Sequence, residues 1–149
     1  MKLEPVMTLS VEITEMISAG QTPVGEVRLL PFARGSFEGQ DVRGRLLPGG
    51  TDWQQVRADG VLEIRAHYLL ETDQGERIEV LSEGIRHAPP GVLERIAAGE
   101  AVASDQYYFR THVRLNTASE RLAHVNRMLL VSSGERQQHA VKLTFYAVP

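Results

Sequence analysis

One short stretch of the chain, residues 47–53, sets two adjacent glycines beside a carboxylate and the only tryptophan. Paired glycines let the backbone adopt positive φ or approach another group closely, so Gly49 and Gly50 would position Asp52 and Trp53. A carboxylate beside a large aromatic wall is partly desolvated, its pKa rises, and it can act as a general acid or base near neutral pH. The alternative is a turn-capping aspartate beside a packed tryptophan. The spacing leaves both interpretations open.

Two arginines further along the chain could supply the positive charge that such chemistry needs. Arg86 and Arg110 would converge on a carboxylate, enolate or phenolate oxygen, which a guanidinium binds in fork geometry. Alternatively, one of them pairs with Asp52 or Glu63 in a buried structural ion pair. Asn126 could orient a substrate carbonyl or an oxyanion, or it satisfies the end of a strand.

Aromatic and histidine side chains complete the predicted site. His67 could move a proton near neutral pH, and Tyr68 is either a core tyrosine or a group that lines the site. No HExxH or similar spacing is present, so no metal is predicted. The predicted catalytic residues are Asp52, Arg110 and Asn126, and the predicted substrate-binding residues are Trp53, Tyr68, Arg86, Tyr108 and His67.

The elements that would position these residues are strands. Apolar residues alternate along residues 62–70 and again along residues 78–86, which is typical of strands that bury one face. Asp59-Gly60 is a strong hairpin signal before the first of these strands, and residues 72–75 form a turn between the two. The middle of the chain is therefore predicted to be an antiparallel meander.

Further strands flank this meander, and one short helix interrupts them. The helix is predicted between Pro89-Pro90 and Gly99, covering one end of the sheet. Turns are predicted at residues 20–23, 33–35 and 132–134, and strands at residues 7–17, 24–32, 106–115, 126–131 and 141–148. About eight to ten strands with one short helix predict a mainly β protein, a single antiparallel β-barrel over residues 1–149 or a closely related closed sandwich.

One strand of this barrel has an ambiguous orientation. Tyr108, Arg110, His112 and Arg114 alternate with residues that are mostly apolar. Their face could be a solvated outer surface or the lining of an interior pocket, and the pattern alone leaves both open.

Composition excludes several classes of function. The chain has no cysteine, and its net charge of −3 comes from interspersed charges, so neither disulfides nor a nucleic-acid surface is expected. The absence of a signal-like or membrane-spanning apolar run predicts a cytoplasmic protein without a membrane partner. No GxGxxG, GxxxxGK or GxSxG motif is present, so no cofactor is predicted. Exposed strand edges favour a homodimer.

Several spaced motifs run through nearly the whole chain. They are Gly35-x-Phe37-x-Gly39, Pro48-Gly49-Gly50-x-Asp52-Trp53, Arg57-x-Asp59-Gly60, Tyr107-Tyr108-Phe109-Arg110-Thr111 and Asn126-Arg127. Together they resemble the domain-of-unknown-function family DUF3237, small bacterial and fungal β-barrels. The resemblance implies a barrel with a pocket and an inward Arg110, but no assigned activity. The chain departs from the family pattern at Arg65 and His67, where an aspartate and an arginine are expected, and at His124-Val125.

These observations predict a barrel protein with a pocket inside or at one mouth. The first hypothesis is a cofactor-independent enzyme that performs isomerase, cyclase or lyase chemistry on a small carbonyl, carboxylate or phenolic compound. The alternatives are a non-catalytic carrier or sensor of such a small molecule, and an interaction module with a packed interior. The residue pattern does not decide whether the protein is an enzyme.

Overall fold

The computed structural model describes all residues from 1 to 149. Ten strands and one α-helix form the chain, with two short 3₁₀ helices at Ser104–Gln106 and Ala123–Arg127. The elements are β1 Glu4–Ile13, β2 Ile17–Thr22, β3 Gly25–Gly39, β4 Arg43–Leu46, β5 Thr51–Val56, β6 Leu62–Thr72, β7 Arg77–His87, α1 Val92–Ala97, β8 Tyr108–Thr117, β9 Leu129–Arg136 and β10 Ala140–Val148.

Eight of the strands close into an antiparallel barrel. The circuit runs β1-β10-β9-β8-β7-β6-β4-β3 and closes where β1 pairs with β3. β3 has 15 residues, and its second half pairs with β1 and β4 while its first half pairs with β2 and β5. β5 also pairs with β6, so it continues the barrel wall where β4 ends. The prediction of a mainly β barrel with one short helix is confirmed.

The interior follows from the alternation of the strands. Every second residue of β6 from Leu62 to Thr72 is buried, and β8 alternates in the same way from Phe109 to Thr117. Successive side chains of a strand point to opposite faces, so one face of each strand fills the barrel. The result is one cluster of 23 buried hydrophobic residues drawn from all around the circuit.

Two of the predicted turns are wrong because the strands run through them, and the turn predicted at residues 20–23 lies at residues 23–24 because β2 continues to Thr22. Residues 33–35 lie inside β3 and residues 132–134 lie inside β9. The glycines there provide space instead of a turn: a Cβ atom on Gly35 would lie 2.7 Å from the carbonyl oxygen of Ser10, and one on Gly134 would lie 2.6 Å from the ring of Phe109. The predicted strand at residues 7–17 is also divided, between β1 and β2.

The predicted hairpins and helix are present. Gly60 and Gly75 adopt φ of 85° and 83° in the turns before and after β6, a conformation that glycine adopts without strain. α1 follows Gly91, and Gly99 with φ of 86° lies just beyond its end. Ile96 of α1 is buried in the core cluster. None of the helices has the length and apolarity that crossing a membrane would require.

Candidate functional site

Most of the buried polar side chains of the barrel interior meet at one small cavity. Its volume is about 30 Å³, room for a few water molecules at most. The polar and charged lining residues come from five neighbouring strands: Asp52 and Gln54 from β5, Tyr68 from β6, Ser82 and Arg86 from β7, Thr111 from β8 and Arg136 from β9. The remaining lining is apolar, so the cavity is a polar pocket inside a hydrophobic core.

Asp52 is the acidic group of this cavity. It is 9% exposed, and its Oδ2 accepts a hydrogen bond of 2.9 Å from Gln54 Nε2, while its Oδ1 has no partner. Burial raises the pKa of Asp52 to about 6, although the Gln54 hydrogen bond and the charge of Arg86 both oppose the rise. A carboxyl with a pKa in this range exchanges protons near neutral pH. Asp52 can therefore act as an acid or base, as predicted, but its pKa is raised by burial in the barrel interior and not by the ring of Trp53.

Arg86 is a buried cation with an unused donor. It is 8% exposed, its Nε makes no hydrogen bond, and its guanidinium lies 5.4 Å from the centre of the Phe109 ring. Burial, and after it the charge of the nearby Arg136, lowers the pKa of Arg86 to about 10, although the charge of Asp52 opposes the fall. The group stays protonated at neutral pH, so a positive charge with a free N–H lies inside the barrel.

Tyr68 contributes a hydroxyl without a partner. The residue is 4% exposed, and its Oη makes no hydrogen bond. Burial, and after it the charge of Asp52, raises the pKa of Tyr68, so the phenol stays neutral and can donate. Gly50 makes room for it: a Cβ atom there would lie 2.7 Å from Cβ of Tyr68 and 3.0 Å from the Phe32 ring. Of the two glycines predicted to position the site, Gly50 therefore makes room for Tyr68, whereas Gly49 adopts φ of 102° and a Cβ atom on it would contact nothing.

A chain of three buried hydroxyls runs beside these groups across β7, β8 and β9. Ser82 Oγ donates to Thr111 Oγ1 over 2.9 Å, and Thr111 Oγ1 and Ser132 Oγ lie 2.5 Å apart. Each residue lies at an inward position of its strand. The three hydroxyls satisfy one another's hydrogen-bonding capacity, so the three strands can place polar residues in the core at little cost.

Arg136 lies at the edge of the cavity and was missed by the sequence analysis. Its Nη1 donates to the carbonyl oxygen of Ala140 over 3.1 Å and also to that of Gln137. Its backbone N–H donates to Tyr107 Oη over 2.8 Å. Partial burial lowers the pKa of Arg136, while Tyr107 and Asp52 raise it. The alternation Leu130, Ser132, Gly134, Arg136 was the available signal, but reading residues 132–134 as a turn concealed it.

Several residues predicted for the site lie on the outside of the barrel. Arg110 and Tyr108 are exposed positions of β8, so the inward Arg110 that the resemblance implied is wrong. Trp53 is 43% exposed, whereas Asp52 is buried. Consecutive side chains of a strand point to opposite faces, so Asp52 points into the barrel and Trp53 points outward. Trp53 therefore does not form the wall beside Asp52. His67 is also exposed, and its Nε2 lies 2.8 Å from Glu79 Oε2.

Asn126 lies at the other end of β8 from the cavity. Its Oδ1 accepts from the backbone N–H of Thr117 over 2.8 Å, and its Nδ2 donates to the Thr117 carbonyl over 2.9 Å. Of the two interpretations left open by the sequence, satisfaction of a strand end describes its contacts. The structure thus brings Asp52, Tyr68 and Arg86 together and leaves the other predicted residues apart: Trp53, His67, Tyr108, Arg110 and Asn126.

A larger depression lies on the outer surface around Trp53. Its volume is about 520 Å³, and its polar lining includes Glu63, Arg65, Glu83 and His112. These residues alternate with the interior ones on the same strands. The surface depression shares only Gln54 and Ile64 with the lining of the cavity. It contains none of the buried polar groups that lack partners. No group of three or more histidine, aspartate or glutamate side chains is arranged to hold a metal ion.

Comparisons with known proteins give the family and the fold. A UPF0311 protein of Clostridium acetobutylicum is 34% identical over 149 residues, which span 99% of this chain and 94% of that protein. The crystal structure of a conserved protein of unknown function from Rhodopseudomonas palustris has a TM-score of 0.96 at 31% identity, covering 99% of this chain and 97% of that one.

A more distant likeness is to the crystal structure of an enzyme from Penicillium herquei. The TM-score is 0.71 at 18% identity, covering 97% of this chain and 93% of that one; this likeness shows the fold alone. A family model described as "Protein of unknown function (DUF3237)" matches residues 1–148. The chain belongs to this family of uncharacterised barrel proteins.

Proposed function

We propose that this protein is a cofactor-independent acid–base enzyme acting on a small compound with a carbonyl, carboxylate or phenol oxygen. One observation carries the proposal: the three buried polar atoms without a hydrogen-bond partner, Asp52 Oδ1, Tyr68 Oη and Arg86 Nε, belong to residues that line one cavity. An unpaired buried polar atom costs about 1–3 kcal/mol. Three such atoms at one place are best explained by a ligand that pairs with them.

The roles follow from the charge of each group. Above about pH 6 the Asp52 carboxylate would take a proton from the carbon next to a substrate carbonyl. The electron pair of that C–H bond would form a carbon–carbon double bond, while the π pair of the carbonyl moves onto its oxygen to give an enolate. Arg86 would stabilise the negative oxygen with its charge, and the neutral Tyr68 hydroxyl would donate a hydrogen bond to it. Where the enolate is conjugated with a further carbon–carbon double bond, return of the proton from Asp52 to the far carbon of that system restores the carbonyl and shifts the double bond, which completes an isomerisation.

The small volume of the cavity limits how such a compound would bind. About 30 Å³ admits a reacting oxygen and its neighbouring atoms, so the rest of the ligand would lie toward the mouth beside Arg136. The likeness to the Penicillium herquei enzyme supports only the capacity of this fold to carry catalysis. The homodimer and the cytoplasmic location expected from the sequence stay predictions.

Proton exchange tests this function without knowledge of the product. Small ketones, aldehydes, keto acids and phenols would be incubated with the protein in D₂O, and NMR would follow replacement of their carbon-bound protons by deuterium. We expect exchange with at least one compound, and we expect Asp52→Asn to abolish exchange while the compound still binds. Asp59→Asn, in the exposed turn before β6, is the matched control and should exchange normally.

The same experiment separates the enzyme from a carrier or sensor. Binding without exchange in the native protein would contradict the proposed chemistry and support the non-catalytic alternative. Equal exchange by the native protein and the Asp52→Asn variant would remove Asp52 from the mechanism. Absence of any binding to the interior would contradict a ligand site altogether.

A further inference from the structure

The lining of the cavity contains more positive groups than negative ones. Two guanidinium groups, of Arg86 and Arg136, face one carboxyl, that of Asp52. The interior is therefore cationic when Asp52 is ionised, and more so when it is protonated. Arg28 also acts on Arg86 through its charge, and it is paired with Glu26 through a salt bridge of 2.8 Å. No further acidic side chain lines the cavity.

Neither guanidinium is neutralised by a carboxylate contact. None of the chain's salt bridges involves Arg86 or Arg136. Arg86 is more than nine-tenths buried and has a free Nε. Buried charges are ordinarily paired, because an isolated one is costly in a low-dielectric interior. Asp52 acts on Arg86 through its charge, but no carboxylate is in salt-bridge contact with Arg86, which indicates that a contacting anion would come from a ligand.

Arg136 is oriented in a way that leaves donors available. Both of its side-chain hydrogen bonds come from Nη1, to the carbonyl oxygens of Gln137 and Ala140, so Nε and Nη2 make none. The residue lines the interior cavity and also a groove of about 370 Å³ on the outside, between residues 101–107 and residues 135–138. Arg136 thus lies where a ligand would pass from the surface to Asp52.

We propose that the cavity binds a small carboxylate and that Arg136 selects for its negative charge at the mouth. This inference rests on the proposed function, since it names the substrate class of the same site. The free Nε and Nη2 of Arg136 match the two oxygens of a carboxylate in fork geometry. Arg86 meets the reacting oxygen deeper in the cavity. Neutral carbonyl compounds would lack the group that Arg136 binds.

Acetate and acetamide test the charge selection because they differ in charge but hardly in shape. Each would be titrated into isotope-labelled protein at about pH 7, with matched sodium chloride as the third titrant, and the amide signals of the interior strands would be followed by NMR. We expect acetate to bind at least about tenfold more tightly than acetamide, as a charge-assisted hydrogen bond implies. Chloride should not reproduce the shifts.

Two Arg136 variants identify the residue responsible. Arg136→Met should remove the preference for acetate, whereas Arg136→Lys keeps the charge and should retain part of it. Arg34→Met, at an exposed arginine of β3 paired with Glu12, should behave like the native protein. The lysine variant keeps the test decisive if the methionine variant does not fold.

Different results would overturn carboxylate binding at Arg136 and catalysis by Asp52. Equal binding of acetate and acetamide, no binding of acetate, or an acetate preference that survives Arg136→Met would overturn the carboxylate inference. The Asp52-dependent exchange in D₂O would then still stand, with a neutral substrate. Selective acetate binding without any exchange would uphold the inference and contradict the catalytic proposal.

Discussion

The Asp52→Asn variant should become more stable, relative to the native protein, as the pH rises. Asparagine resembles the protonated aspartate in shape and is always neutral. The pKa of Asp52 is raised from 3.8 to about 6 in the folded protein, chiefly by burial. The folded state therefore binds more protons than the unfolded state between these values, and linkage requires the native stability to fall with rising pH across this window.

The size of the effect follows from the two pKa values. One pH unit of pKa difference corresponds to about 1.4 kcal/mol, so ionising Asp52 in the interior costs about 3 kcal/mol. Because only 9% of the residue is exposed, solvent screening reduces this cost little. The cost is absent below about pH 4 and complete above about pH 6. The asparagine variant does not carry it at any pH.

Urea unfolding from about pH 4 to about pH 8 measures this cost. The quantity of interest is the free energy of unfolding of Asp52→Asn minus that of the native protein, since other titrating groups largely cancel in the difference. We expect this difference to increase by about 3 kcal/mol from the low to the high end of the range. The groups facing Asp52 are Gln54, Tyr68, Arg86 and Arg136, and they are common to both proteins.

Asp59→Asn is a control that should be flat over this range. Hydrogen bonds from Arg57 lower the pKa of Asp59 below its ordinary value of 3.8, so the stabilisation from its carboxylate is present above about pH 4 and is lost only at lower pH. The free-energy difference between Asp59→Asn and the native protein should therefore stay nearly constant from about pH 4 to about pH 8. A difference for Asp52→Asn that is equally flat, or that decreases with rising pH, would refute the reasoning. It would mean that the positive charge of Arg86 outweighs burial and that Asp52 is an ordinary ion-pair partner.

Three further predictions concern residues with distinct roles in the fold. Asn126→Ala should lower the free energy of unfolding, measured in urea, by about 1–3 kcal/mol, because it removes both hydrogen bonds to the Thr117 backbone. We expect its affinity for acetate to be unchanged, and a loss of affinity would contradict a purely structural role. Thr111→Val should be more destabilising than Ser132→Ala, since the middle hydroxyl bonds to both others; the reverse order in thermal unfolding would contradict the hydroxyl chain. Trp53→Ala should leave acetate binding unchanged, because Trp53 lies on the outer face; weaker binding in the NMR titration would show that the outer depression communicates with the interior.

Local pattern was sufficient for most of the barrel wall. The alternation along β6 and β7, the Asp59-Gly60 hairpin and the helix after Pro89-Pro90 are all present in the structure, because each depends on neighbours in sequence. The glycines were harder to interpret. Gly35 and Gly134 were predicted as turn residues but provide space for a carbonyl oxygen and an aromatic ring. Those contacts come from distant strands, so their neighbours in sequence give no indication of them.

The candidate site, like the barrel wall, was predictable from the sequence only in part. Sequence alone identified Asp52 and Arg86 as candidate site residues, Asp52 from its place beside paired glycines and the only tryptophan, and Arg86 as a cation at the end of a predicted strand. Only the tertiary structure decided that Asp52 points inward and Trp53 outward, that Arg110 is solvated, and that Arg136 completes the cavity. The physical reason is closure: a strand has two faces, and which one becomes the interior depends on how eight strands curve around a common core. Burial then gives Asp52 its raised pKa and leaves Arg86 as a cation without a protein partner.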